Sequence, residues 1–123
     1  MKVMRIGIKT VDSLLDDFVT TFKAVSSGER VRTRRGVYFT SLEAARNFLT
    51  PKRLGLLRVI REKKPSSIYE LAKLTKRGFP TVLRDIELLA RHGLVHLSRS
   101  SKSPRRSIQP EVSYEVISLR IAV

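Results

Sequence analysis

Between Thr81 and Val95, apolar side chains recur at Val82, Ile86 and Leu89. Steps of four and then three set them on one stripe of a helix. Gly93 stands where such a helix ends, and Leu94-Val95 resume an apolar run that predicts a strand from Leu94 to Leu97. The same helical spacing appears upstream. Leu14, Leu15, Phe18, Val19, Phe22 and Val25 predict an amphipathic helix opening at Asp12 or Ser13 and closing near Gly28. Val3, Ile6 and Ile8 predict an N-terminal strand, and Val37-Tyr38-Phe39 a second, short one.

Polar punctuation marks the helices between these segments. Thr40 with Glu43 makes a capping-box pattern and opens a helix through Phe48 and Leu49. Thr50-Pro51 pairs an N-cap with proline at the first helical position. The helix that follows places Leu54, Leu57 and Ile60 inward, with Leu56 and Val59 flanking, and stops before Pro65. Ser67 with Glu70 repeats the capping box and starts a helix through Ile68, Leu71, Ala72 and Leu74. Gly78-Phe79-Pro80 turns the chain into a helix over about 79–92. A loop from Ser98 to Gln109 then precedes a strand from Val112 to Ile121, with Val112, Tyr114 and Val116 on one face. Helix, helix, turn, helix, hairpin is the winged helix-turn-helix order. The expected fold class is therefore α+β, mainly α. A strand–helix extension over residues 1–39 precedes a winged helix-turn-helix domain over residues 40–123. The strand at Val3 to Ile8 is a pairing partner for the segment from Ser118 to Val123, within or between subunits.

Composition narrows the partner. Over 123 residues, 41% hydrophobic content is enough for a core, and 25 Lys and Arg against 11 Asp and Glu give a net charge of +14. Such an excess points to an acidic polymer. No apolar run approaches the ~20 residues of a spanning helix. The alternating N-terminal segment has no signal-peptide h-region, so the cytoplasm, at the nucleoid, is the expected location. With no cysteine, disulfide and thiolate chemistry are excluded.

Arg53-Leu54-Gly55-Leu56-Leu57-Arg58-Val59-Ile60, then Ser67-Ile68-Tyr69-Glu70-Leu71-Ala72, then Val82 through Val95, resemble the R-L-x-I-L, S-x-x-E-L-A and G-L-V frame of ArsR/MarR-like transcriptional regulators. The chain is more similar still to a largely archaeal group of winged-helix regulators. Their S-L-E-x-x-R-x-x-L-T-P-x-R-L-x-L-L-R-x-I segment matches Ser41 to Ile60. Their R-D-[VI]-x-L-L segment matches Arg84 to Leu89, and their terminal P-x-x-x-Y-x-x-I strand matches Pro110 to Ile117. The resemblance implies a DNA-binding transcriptional regulator, and some such proteins are regarded as antitoxins. The turn ahead of Arg84-Asp85 is Phe79-Pro80-Thr81-Val82-Leu83, where members of the group often carry Asn and His, so no base preference is carried over. A Cys or His pair for metal sensing, as in ArsR-type switches, is absent.

With Ile86 at the centre of the buried stripe, a turn of ~100° per residue puts Arg77, Thr81, Arg84 and Arg91 outward, with Pro80 at the start of that face. In winged-helix docking this face enters the major groove, where Arg pairs with guanine and Thr touches a thymine methyl. Lys73 and Lys76 are expected on phosphate, as is the helix start at Ser67. Arg99, Lys102, Arg105 and Arg106 form a basic wing over about 98–109. Within it, Ser103-Pro104-Arg105-Arg106 resembles the S-P-[KR]-[KR] minor-groove motif, and an arginine pair suits a narrow A·T groove. Asp85 and Glu87 are expected to pair with arginines on the helix surface or to orient Arg84.

His92 and His96 read as structural or surface residues. No paired carboxylates, Gly-rich phosphate loop or Ser-His-Asp set is present, so no enzyme activity, cofactor or metal is expected. The expected partners are double-stranded DNA and a second copy of the chain. The apolar face at Leu14, Leu15, Phe18, Val19 and Phe22 packs within the chain or forms a two-fold contact. Two rival functions remain. One is an RNA-binding winged module, which exposed aromatics would favour, although Tyr69 and Phe79 read as structural. The other is an antitoxin or adaptor whose main partner is a toxin-like protein docked on the N-terminal helix.

Overall fold

Among the described residues of the computed structural model, nine elements have defined bounds. They are β1 (Val3–Ile8), β2 (Val37–Phe39), α1 (Leu42–Phe48), α2 (Pro51–Lys63), α3 (Ile68–Thr75), α4 (Phe79–Arg91), β3 (His96–Arg99), β4 (Ile108–Glu111) and β5 (Val116–Ile121). The structure describes residues 1–9, 15, 16, 18–20, 22, 23, 37–99 and 107–122. The described residues from 15 to 23 are helical, while the caps expected for that helix, with Leu14 and Val25, lie outside the described residues. The architecture is α+β, with a three-stranded sheet ordered β2-β1-β5 and a two-stranded sheet β3-β4. Backbone contacts divide the chain into two units. One comprises Met1–Met4 and Phe48–Val116, the other Arg5–Asn47 and Ile117–Val123.

In the first unit, side chains start two of the three helices where the capping patterns predict. Thr50 Oγ1 accepts from the Arg53 amide at 3.2 Å, with Pro51 in the first turn of α2. Ser67 Oγ accepts from the Glu70 amide at 3.0 Å. The Glu70 carboxylate, however, accepts from the amide and hydroxyl of Ser66 and not from the Ser67 amide that a capping box would use. α4 opens at Gly78 with no side-chain cap. α2 and α3 each end on a left-handed lysine, Lys64 and Lys76, and Gly93 with φ of 80° closes the turn after α4.

The core of this unit is built from Leu56, Leu57 and Ile60 of α2, Ile68, Leu71 and Ala72 of α3, and Val82, Ile86 and Leu89 of α4. The α4 stripe is the predicted one. In α2 the inward face is rotated from the expected one, because Leu54 is exposed and Leu56 buried. Arg53, one and two turns before Leu57 and Ile60, faces inward to an ion pair with Asp85, which turns Leu54 to solvent.

The strands after α4 differ from expectation. Leu94 and Val95 are both buried, so they cannot alternate as a strand does. The Leu94 amide instead donates to Leu89 O, and β3 begins at His96. β4 pairs antiparallel with β3, Leu97 opposite Pro110 and Arg99 opposite Ile108. The single strand expected from Val112 to Ile121 is broken, since residues 112–115 carry no strand. The break follows from Tyr114, which turns inward to donate its hydroxyl to Leu94 O at 2.9 Å, while the Glu115 amide donates to Lys2 O.

Burial pushes the Tyr114 hydroxyl up to about 12. A pKa raised on folding means that the associated stability is complete below the unfolded value of about 10 and is lost as pH climbs toward 12. Tyr114→Phe is expected to cost about 1–2 kcal/mol, because Leu94 O is left without its buried donor. It should also remove the ionisation near pH 12 from a tyrosinate absorbance titration. Loss of amplitude near pH 10 instead would show that Tyr114 is solvated.

In the second unit, β1 lies between β2 and β5, so the pairing expected for the N-terminal strand forms within the chain. β1 and β2 run parallel, with Ile6, Gly7 and Ile8 opposite Val37, Tyr38 and Phe39. Ile6 and Ile8 are buried, one face of a period-two strand. Gly7 is required by close approach, because a Cβ there would come within 2.8 Å of the Tyr38 ring. Lys9 Nζ stands 4.6 Å from the centre of the same ring. α1 is capped by Ser41, whose Oγ accepts from the Ala44 amide at 3.0 Å, one residue after the expected Thr40. Leu15, Phe18, Val19 and Phe22 are exposed.

Candidate nucleic-acid interface

α4 carries its burial on one side, where Val82, Ile86 and Leu89 are fully shielded. Thr81, Arg84 and Arg91 are exposed, as the helical rotation predicts, and Pro80 is exposed in the first turn. Among the described residues, no carboxylate lies within 4.0 Å of the Arg84 or Arg91 guanidinium. Glu87 is exposed on the same helix. Two side chains on this surface are thus free to place positive charge against an anionic partner.

Arg77, expected on the outward face, is drawn in. Its Nη2 donates to Asp85 Oδ2 at 2.9 Å, and its Nη1 is buried without a hydrogen-bond partner. The other oxygen of Asp85 accepts from Arg53 Nε at 3.2 Å. Arg53 also donates through Nη1 to Phe48 O at 3.0 Å. Asp85 therefore orients Arg53 and Arg77, not Arg84. One carboxylate ties the start of α2 and the turn before α4 to the middle of α4. Sequence reasoning missed Arg53 in this role, since the pair spans 32 residues. The available signal was that Arg53 and Asp85 each sit in a charged motif position beside apolar core residues.

Lys73 and Lys76 are exposed at the end of α3. Lys73 Nζ lies 4.6 Å from the centre of the Tyr69 ring, and the Tyr69 and Phe79 rings are 6.3 Å apart at 53°. Both aromatics, read from sequence as structural, are exposed, at 59% and 40%. Tyr69 is on the first turn of α3 and Phe79 is the first residue of α4, so their rings meet, part-exposed, at the α3–α4 turn. Ser67, expected on phosphate, spends its hydroxyl on the helix cap. The neighbouring Glu70 carboxyl is held below its usual range by hydrogen bonds from the Ser66 hydroxyl and amide, against a small opposing effect of burial. A carboxylate already complements that helix start.

Arg99 is exposed at the end of β3, and Lys102, Arg105 and Arg106 lie outside the described residues. His92 packs its ring 4.5 Å from that of Phe48 with Nδ1 3.0 Å from Leu88 O, and His96 is exposed. Among the described residues, no group of three or more His, Asp or Glu is placed to hold a metal ion. No helix among them is long and apolar enough to cross a membrane.

No curated protein is significantly similar to the chain. The family model HVO_A0114 matches residues 48–119, which run from the end of α1 through α2, α3, α4 and the hairpin into β5. The match takes in more than half of the sequence, and the chain belongs to the HVO_A0114 family.

Proposed function

We propose that residues 50–111 form a winged helix-turn-helix whose α4 enters the major groove of double-stranded DNA, and that the protein is a sequence-specific transcriptional regulator without catalytic activity. The observation that carries this reading is the two-sided α4. Its buried stripe packs in the core, while Thr81, Arg84 and Arg91 stand exposed opposite it in a chain of net charge +14. α3 precedes that helix by a short turn and an antiparallel hairpin follows it, the order in which winged modules present a recognition helix and a wing. Arg99 then begins the basic wing that continues through Lys102, Arg105 and Arg106. Lys73 and Lys76 flank the groove on the phosphate side. A homodimer is part of the reading, with two α4 helices about 34 Å apart on successive major grooves. The exposed Leu15, Phe18, Val19 and Phe22 offer an apolar contact for a second copy or for a toxin-like partner.

Selection of bound duplexes from a random DNA pool at physiological salt tests this directly. A palindromic consensus is expected. Arg84→Ala should weaken binding to it by roughly 1–3 kcal/mol and relax preference at one position. A pool that yields no consensus, or an Arg84→Ala variant that binds unchanged, counts against the proposal. The exposed pair of Tyr69 and Phe79 favours a second reading, an RNA-binding winged module, because single-stranded bases stack on such rings. A parallel RNA pool separates the two.

A further inference from the structure

We infer that Phe79 and Pro80, propped by Tyr69, read the C5-methyl groups of thymine in the major groove, an inference that rests on the duplex-DNA reading above. Gly78, Phe79, Pro80 and Thr81 are four successive exposed residues at the start of α4. The first turn of a recognition helix is the part that meets base edges. Here that turn has no charged side chain, since the first one on α4 is Arg84.

The side chains of Phe79 and Pro80 carry no hydrogen-bond donor or acceptor, so the donor and acceptor code of guanine, cytosine and adenine is closed to them. A polar base edge pressed against these rings would give up its water without gaining a partner. The one apolar group that a base pair shows in the major groove is the thymine methyl. Thr81 adds a methyl of its own beside them.

The geometry also disfavours a base intercalated between the two rings. Tyr69 and Phe79 are tilted by 53° at 6.3 Å, which leaves no parallel slot for a base between them. The Lys73 ammonium occupies one face of Tyr69. Tyr69 instead braces the Phe79 ring in this tilted contact, which fixes the direction in which that ring projects. Lys73 and Lys76 set positive charge beside the aromatics, which fits an apolar group embedded in a polyanion better than an apolar protein surface.

The test takes the selected duplex and replaces each thymidine in turn by 2′-deoxyuridine, which removes only the methyl group. Affinity is read by fluorescence anisotropy at fixed salt. One or two positions per half-site should weaken binding about fourfold, the equivalent of one buried methyl group. Phe79→Ala should bind the thymidine and deoxyuridine duplexes alike at those positions. Arg84→Ala should keep the discrimination, and circular dichroism melts confirm that both variants are folded. A selected duplex that binds equally well after every replacement overturns this inference and leaves the proposed function standing. Failure of the pool to yield a duplex, or tighter capture of single-stranded RNA, whose uridines lack the methyl, overturns both.

Discussion

Truncating Ile86 to alanine is expected to lower folding stability by about 2–5 kcal/mol. Ile86 is fully buried at the middle of the α4 stripe, between Val82 one turn before and Leu89 one turn after. Removing its outer carbons takes away apolar burial and leaves a cavity that α2 and α3, already capped and packed at both ends, cannot collapse to fill. Leu74→Ala supplies the contrast, because Leu74 lies on α3 but is 44% exposed. Its cost should stay below about 1 kcal/mol. Urea unfolding followed by circular dichroism measures both. The midpoint should fall for Ile86→Ala with the slope unchanged. Equal losses for the two variants would mean that the stripe is not the core of this unit.

The stripe was legible in the sequence because period 3.6 is local, and side-chain caps, equally local, mark the starts of α2 and α3 before it. The same reasoning fell short where long-range contacts decide the outcome. Leu54 and Leu56 exchange places because Arg53 is pulled inward by Asp85, a residue on another helix. The predicted strand from Val112 to Ile121 breaks because Tyr114 finds the carbonyl left open after α4. Nothing within four residues of Tyr114 signals that bond. Tyr69 and Phe79 read as structural from the sequence, yet both are exposed at the α3–α4 turn. For the candidate interface, the outward face of α4 was readable for Thr81, Arg84 and Arg91. Arg77 was not, because it precedes Gly78 and does not follow the rotation of the helix.

Asp85→Ala is expected to destabilise the fold by about 2–4 kcal/mol. The figure lies between the 3–5 kcal/mol for opening a buried ion pair and the 0–1 kcal/mol for an exposed one. The Asp85 side chain is 14% exposed and its partners Arg53 and Arg77 about 20%, nearer the buried case. Loss of the carboxylate leaves two guanidiniums facing each other across an apolar setting. Arg53 keeps its bond to Phe48 O, whereas Arg77 keeps no partner among the described residues and already has one buried nitrogen unsatisfied. Asp85→Asn should recover little, because its amide offers one acceptor where two donors wait and puts an N–H against the other. A double-mutant cycle with Arg77→Met isolates the pair, and a coupling of at least 1 kcal/mol is expected. The functional consequence separates this clamp from the DNA-facing arginines. Arg84→Ala should weaken DNA binding at unchanged stability. Asp85→Ala should lose stability first, and should lose affinity only as far as the α3–α4 turn, and with it the Phe79 ring, comes out of position. If Asp85→Ala keeps the wild-type urea midpoint, the clamp does not hold α2 to α4, and the orientation of the outward face must be set by the apolar stripe alone.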